Sequence, residues 1–191
     1  MRLYLLTILI FVGSTLMYAQ PKIDYRGGVN FFSSSVNLAG DKFVPSLGFY
    51  LGAIYNLPVK NTKLHIRPEI SYSKERLKYI APRTTDMNIK YTFNYLNLPI
   101  IASYQLKSKL EIEGGVQYAL LINSTYKQFG RLKNYAAKTS FGLGFGLRYP
   151  IVDKGVILQA RYIKGLTCVC NGLEGDPEKL SGIQLGIIYN K

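Results

Sequence analysis

The chain has 191 residues, a formal net charge of +13, 18 glycines, 16 tyrosines, no tryptophan and one histidine. That length suits one domain with its own core. Beyond residue 20 no apolar run approaches the roughly 18 residues of a spanning helix, which excludes a helical membrane protein.

Residues 1–19 predict a cleaved signal peptide. Met1 and Arg2 form a short basic start, residues 3–12 are apolar, and residues 14–19 lead to a cut before Gln20. The apolar run is too short for an anchor and no basic stop-transfer follows it. The exported domain is then 20–191.

The rest alternates with a period of two, the spacing of strands rather than helices. Residues 22–32 place Ile23, Tyr25, Val29 and Phe31 on one face and Asp24, Arg26 and Asn30 on the other. In residues 45–56, Leu47, Phe49, Leu51, Ala53 and Tyr55 alternate with Gly48, Tyr50, Gly52 and Ile54. A third strand at 64–73 sets Leu64, Ile66, Pro68, Ile70 and Tyr72 against His65, Arg67, Glu69, Ser71 and Ser73. A long basic loop at 74–90 follows. The fourth strand, 91–104, carries Leu96, Leu98, Ile100, Ala102 and Tyr104 on one face, and Pro99 within it predicts a bulge or irregularity. The fifth, 110–121, opposes Leu110, Ile112, Val116, Tyr118 and Leu120 to Glu111, Glu113, Gly115 and Gln117. Residues 122–137 read as a second long loop, with Lys127, Arg131 and Lys133 and no acid.

Residues 141–149 form the sixth and most regular strand. Phe141, Leu143, Phe145, Leu147 and Tyr149 alternate with Gly142, Gly144, Gly146 and Arg148. Glycine at every second position would cost a helix about 1 kcal/mol per site. The seventh strand, 155–164, sets Val156, Leu158, Ala160 and Tyr162 against Ile157, Gln159, Arg161 and Ile163. A loop at 165–179 contains Cys168 and Cys170. The eighth strand, 180–189, carries Ile183, Leu185, Ile187 and Tyr189.

Eight strands whose connections alternate long and short point to an all-β, eight-stranded antiparallel up-and-down transmembrane β-barrel. The inward set holds Asp24, Glu69, Glu111 and Glu113 against Arg26, Arg67, Arg148 and Arg161, a formally neutral lumen charge network. Matched carboxylates and guanidinium groups can satisfy one another bidentately. A charged interior inside an apolar, aromatic-edged exterior is inverted for water and expected in a bilayer. The alternative is a soluble lipocalin-like cup, which would instead line its interior with the apolar faces.

Catalysis is not expected. His65 falls near the short-turn end of its strand, remote from the outer lipid face where a lipid-modifying enzyme would work. Glu111 and Glu113 could serve two-carboxylate hydrolysis, but pairing with Arg148 or Arg161 is the plainer role. Cys168 and Cys170 stand as Cys-Val-Cys without a nearby histidine, too few ligands for a zinc site, and predict a local or intermolecular disulfide in an exported protein. No cofactor or metal is expected, and an eight-stranded interior filled by side chains argues against general diffusion, leaving at most a narrow pore. The surplus positive charge in the loops suits outer-membrane lipid and lipopolysaccharide phosphates, with a protein or glycan partner at the external loops. Nucleic acid is not expected, because the aromatics lie on strands rather than among the basic loops. The barrel is expected to be monomeric.

Four segments carry a resemblance: Tyr95-Leu96-Asn97-Leu98-Pro99-Ile100, residues 110–121 with Gly114-Gly115, residues 141–149, and Arg161-Tyr162-Ile163-Lys164-Gly165-Leu166. With these the chain resembles the PorT-like family of outer-membrane β-barrel domains of Bacteroidetes-type bacteria. The resemblance implies an eight-stranded barrel in the cell outer membrane, with a structural, adhesive or accessory role; one branch is linked to a secretion apparatus. Many such barrels end on an aromatic residue, whereas Tyr189 here is followed by Asn190 and Lys191.

Overall fold

The computed structural model describes residues 22–34, 42–80, 88–126, 138–152, 155–167 and 179–190. The expected leader at 1–19 and the cysteines Cys168 and Cys170 lie outside the described residues. Eight strands run in chain order: β1 (Lys22–Ser34), β2 (Lys42–Pro58), β3 (Leu64–Ile80), β4 (Asn88–Gln105), β5 (Glu111–Tyr126), β6 (Thr139–Val152), β7 (Val156–Gly165) and β8 (Leu180–Asn190). Each pairs antiparallel with the next. β8 returns to β1 from Asp24↔Asn190 to Ser34↔Leu180 and closes the barrel.

Closure follows from the alternation. Both faces of every strand are committed, one to the interior and one to the surroundings, so an open edge would leave backbone groups unpaired. On β6 the side chains of Phe141, Phe145, Leu147 and Tyr149 are exposed, while Arg148 points inward and is buried. The exposed wall continues around the ring through Ile23 and Tyr25 on β1, Leu51 and Tyr55 on β2, Ile70 on β3, Ile100 and Tyr104 on β4, and Ile183, Leu185, Ile187 and Tyr189 on β8. The tight connections lie on one side. Two of them contain a residue in the left-handed region, Asn61 (φ 59°) and Lys109 (φ 62°), and a third contains Gly155 (φ 81°).

Three sequence readings need correction. The barrel wall on the long-connection side is taller than the alternation suggested. β3 runs to Ile80 rather than to residue 73, β4 starts at Asn88, and β5 runs to Tyr126. Much of the expected loop at 74–90 and the first part of that at 122–137 is therefore strand. The alternation persists there, with Lys74, Arg76 and Lys78 on one face and Glu75 and Leu77 on the other, but lysines in place of leucines disguise it. Glu75 is buried in the interior, so the inward acids outnumber the expected set and the neutral count does not hold. Finally, Pro99 causes an interruption rather than a bulge: the β3 ladder has no pairs at Leu98 and Pro99, but there is no register shift. Its pairing with Gln117 is intact, and the offset against β3 is the same on either side of it. The irregularity of β4 against β5 lies instead at Asn94/Tyr95.

Candidate functional site

The interior fills in three tiers. Toward the long connections it is apolar: Phe32, Leu77, Phe93, Tyr95, Ala119, Ile163 and Leu180 form one buried cluster. The aromatic rungs Tyr91, Phe93 and Tyr95 stack along β4, with centroids 6.4 and 6.2 Å apart. Glu75 lies within this tier, where its carboxylate accepts a hydrogen bond from Ser73 Oγ at 2.9 Å. The nearby pocket of about 20 Å³ has room for about one water molecule.

The middle tier is an ion-pair lattice. Arg161 on β7 reaches across the lumen and donates two hydrogen bonds to Glu69 on β3, both at 2.8 Å. Arg26 on β1 donates to the same carboxylate and, through its other nitrogen, to Gln184 Oε1 at 2.9 Å. Its guanidinium also lies 4.5 Å from the centre of the Tyr50 ring. Arg161 Nε donates to Glu113 at 2.7 Å, and Gln159 donates to both oxygens of Glu113 at 2.9 and 3.1 Å. Gly146 makes room for this arrangement: a Cβ there would sit 2.7 Å from Glu113 Oε1 and 2.6 Å from the Ala160 carbonyl oxygen.

The third tier lies beside the short turns. Arg67 Nη1 is 2.8 Å from Glu111 Oε2, and Arg148 Nη1 is 3.5 Å from the same oxygen. Arg148 and Glu111 are direct register partners. Arg67 also donates to Ser103 Oγ and, at 3.2 Å, to Asn56 Oδ1. Asp24 is buried here with neither carboxylate oxygen hydrogen-bonded among the described residues. All eight charged side chains named from the sequence point inward. Seven fall into two linked groups, and Asp24 stands apart.

Among the described residues the histidine and the paired carboxylates are engaged with other groups. His65 and Ser103 face each other in register, but His65 Nδ1 sits 3.0 Å from Asn56 Oδ1 while Ser103 receives Arg67. Glu111 and Glu113 are each held by arginine rather than facing a shared gap. Among the described residues no group of three or more His, Cys, Asp or Glu side chains could hold a metal ion. Sequence reasoning missed Glu75 and the glutamines Gln159 and Gln184. The strand parity that runs through Ser71 and Ser73 reaches Glu75 directly, but polarity alone gave no reason to extend the strand.

A closed eight-stranded barrel, charged within and apolar without, defines a small transmembrane β-barrel of the outer membrane. The chain belongs to the outer membrane protein beta-barrel domain family, whose model matches residues 18–171. Solved structures share the fold. Neisserial surface protein A is 13% identical with a TM-score of 0.56, covering 90% of this chain and 97% of that one. The attachment invasion locus protein Ail of Yersinia pestis, solved in complex with the heparin analogue sucrose octasulfate, is 15% identical with a TM-score of 0.50 and the same coverage. No curated protein matches the chain at a significant level.

Proposed function

We propose that this outer-membrane barrel is a non-conducting, non-catalytic element with a structural, adhesive or accessory role, whose long connections form its contact surface. The observation that carries the reading is the buried lattice linking Arg26, Glu69, Arg161 and Glu113 across the lumen, from β1 through β3 and β7 to β5. Groups held this way in a buried interior resist separation, because a lone charge left behind would be strongly disfavoured. Seven of the eight inward charges thus serve as an internal strut rather than a reaction centre.

The leader at residues 1–19 would be removed on export, and Cys168 and Cys170 would be oxidised in the last long connection. Lys127, Arg131 and Lys133 give another connection a purely basic character. That charge suits an anionic glycan or protein partner, the chemistry that Ail meets in its sulfated ligand. An accessory role beside a secretion apparatus, as the PorT-like resemblance implies, would use the same surface.

Planar-bilayer recording of the purified, refolded protein tests the reading. The expected record shows no unitary conductance steps. Stable channels in the wild-type protein would overturn the filled-lumen account and favour a narrow pore.

A further inference from the structure

The taller wall carries a feature that the lumen does not explain. Rows of outward side chains run across β2, β3, β4 and β5, in register. The first is apolar: Leu51, Tyr72, Leu96 and Leu120. The next is Phe49, Lys74, Asn94 and Asn123, followed by Ser46, Arg76, Thr92 and Thr125, and then Val44, Lys78 and Lys90. On β3 the outward side chains therefore change from Tyr72 to the cations Lys74, Arg76 and Lys78 within one step, about 7 Å along the strand, while Val44 and Phe49 on β2 and Ile122 on β5 stay exposed beside them. Residues 64–72 of β3 supply the about nine residues that a tilted strand needs to cross a bilayer, so Lys74 stands at the membrane surface.

Four cations share this face, and no acid does among the described residues. Lys74, Arg76, Lys78 and Lys90 make no ion pair among the described residues. Lys78 and Lys90 are direct cross-strand partners. Like charges about 5 Å apart across a sheet repel and destabilise it unless an anion lies between them. Arg76 and Lys90 border a cleft of about 420 Å³ together with Ser46, Thr92 and Thr125, whose hydroxyls add donors, and with the inward-facing Leu77 and Tyr91. At the lower edge, Phe49 and Tyr72 pack at 6.0 Å, and the Tyr72 hydroxyl donates to Asn94 Oδ1 at 2.7 Å. An aromatic shelf thus lies directly beneath the cations.

We infer that Lys74, Arg76, Lys78 and Lys90 form a lateral binding site for the phosphate groups of an outer-leaflet glycolipid. The inference rests on the outer-membrane reading, with the long connections on the cell exterior. A ligand for this wall needs vicinal anionic groups joined at once to acyl chains, because apolar side chains begin one row below. A phosphorylated lipid headgroup has that shape. A soluble polyanion has no use for the apolar row and would be met at the rim instead. Arginine with several lysines is also a donor set suited to phosphate oxygens.

The test compares wild-type protein with the variant K74Q/R76Q/K78Q/K90Q, both full length and refolded in detergent, by native mass spectrometry. The probes are bisphosphorylated lipid A, fully dephosphorylated lipid A and sucrose octasulfate. The control variant K60Q/K107Q removes lysines from the short turns. Wild-type and control proteins are expected to retain the bisphosphorylated lipid at least about tenfold more than the quadruple variant does. The dephosphorylated lipid should show no such difference. Equal retention by the quadruple variant would overturn the site while leaving the barrel intact, provided its mobility on electrophoresis still changes with heating. Should the quadruple variant fail that folding check, R76Q and K90Q singly replace it, each with a severalfold loss expected and unchanged retention counting against the site. Loss of sucrose octasulfate binding at the same residues, without loss of lipid A, would reassign the wall to a soluble polyanion.

Discussion

Glu69 is the residue on which the interior turns. Its carboxylate is fully buried and serves two guanidinium groups, Arg26 of β1 and Arg161 of β7, the two strands that flank β8. A buried ion pair often contributes little beyond a well-packed apolar substitute, yet removing one partner leaves an uncompensated charge and costs about 3–5 kcal/mol. Glu69→Gln leaves two arginines facing a neutral amide, so the unfolding free energy should fall by about that amount. Asp24 provides the contrast. It is equally buried, but its oxygens make no hydrogen bond that an amide would lose. Asp24→Asn should shift stability by less than about 1 kcal/mol. Urea titration of the lipid-refolded protein, read by heat-modifiable mobility, checks both. Equal losses for the two variants would mean that charge in the lumen matters in bulk rather than through the Glu69 junction.

Among the elements, β6 shows most plainly how one strand serves two solvents. Phe145 lies midway along its exposed row, 53% exposed, while Gly144 and Gly146 face inward beside Arg161 and Glu113. Phe145→Arg would place a guanidinium near the bilayer midplane, at a cost of about 2–4 kcal/mol. The same substitution at Tyr149, beside the short turns, should cost about 1 kcal/mol or less. Unfolding titrations in vesicles compare the two, and equal costs would argue that this face does not meet lipid. The same strand shows what could be read from the chain alone. A period of two fixes which side chains share a face without knowledge of any partner strand, so the division of Phe145 from Arg148 was legible. So was the pairing of Glu111 and Glu113 with Arg148 and Arg161, but partner choice across the lumen was not. Arg161 meets Glu69 across the barrel, 92 residues away in sequence, because closure and stagger bring β7 opposite β3. No local pattern encodes that stagger. Lys74, Arg76 and Lys78 were misread for a different reason: outside the bilayer the lipid-facing parity is filled by cations, and strand and loop become alike in composition.

At the scale of the whole molecule the wall is uneven. β2 to β5 extend well past the apolar band on the long-connection side, while β7 and β8 are short. Among the described residues the cations Lys74, Arg76, Lys78 and Lys90 cluster on the taller half, against the single outward Lys164 at the corresponding end of β7, so the barrel presents one particular flank at the lipid surface. That asymmetry has meaning only if the long connections face outward. Outer-membrane barrels carry short turns on the periplasmic side and longer loops outside, and the described ends of β1 and β8 lie with the short turns here. The orientation can be measured directly. An epitope inserted after Thr84, between β3 and β4, should be labelled by antibody on intact cells. The same epitope after Asn61, between β2 and β3, should be labelled only once the outer membrane is permeabilised. Both variants must first show heat-modifiable mobility, because Asn61 occupies a left-handed turn position where an insertion can disturb the hairpin. If Asn61 proves to be the exposed site, the cations of β3 and β4 would face the periplasmic leaflet. The outer-leaflet lipid site would then fall, although the ion-pair lattice would stand, since it depends only on closure.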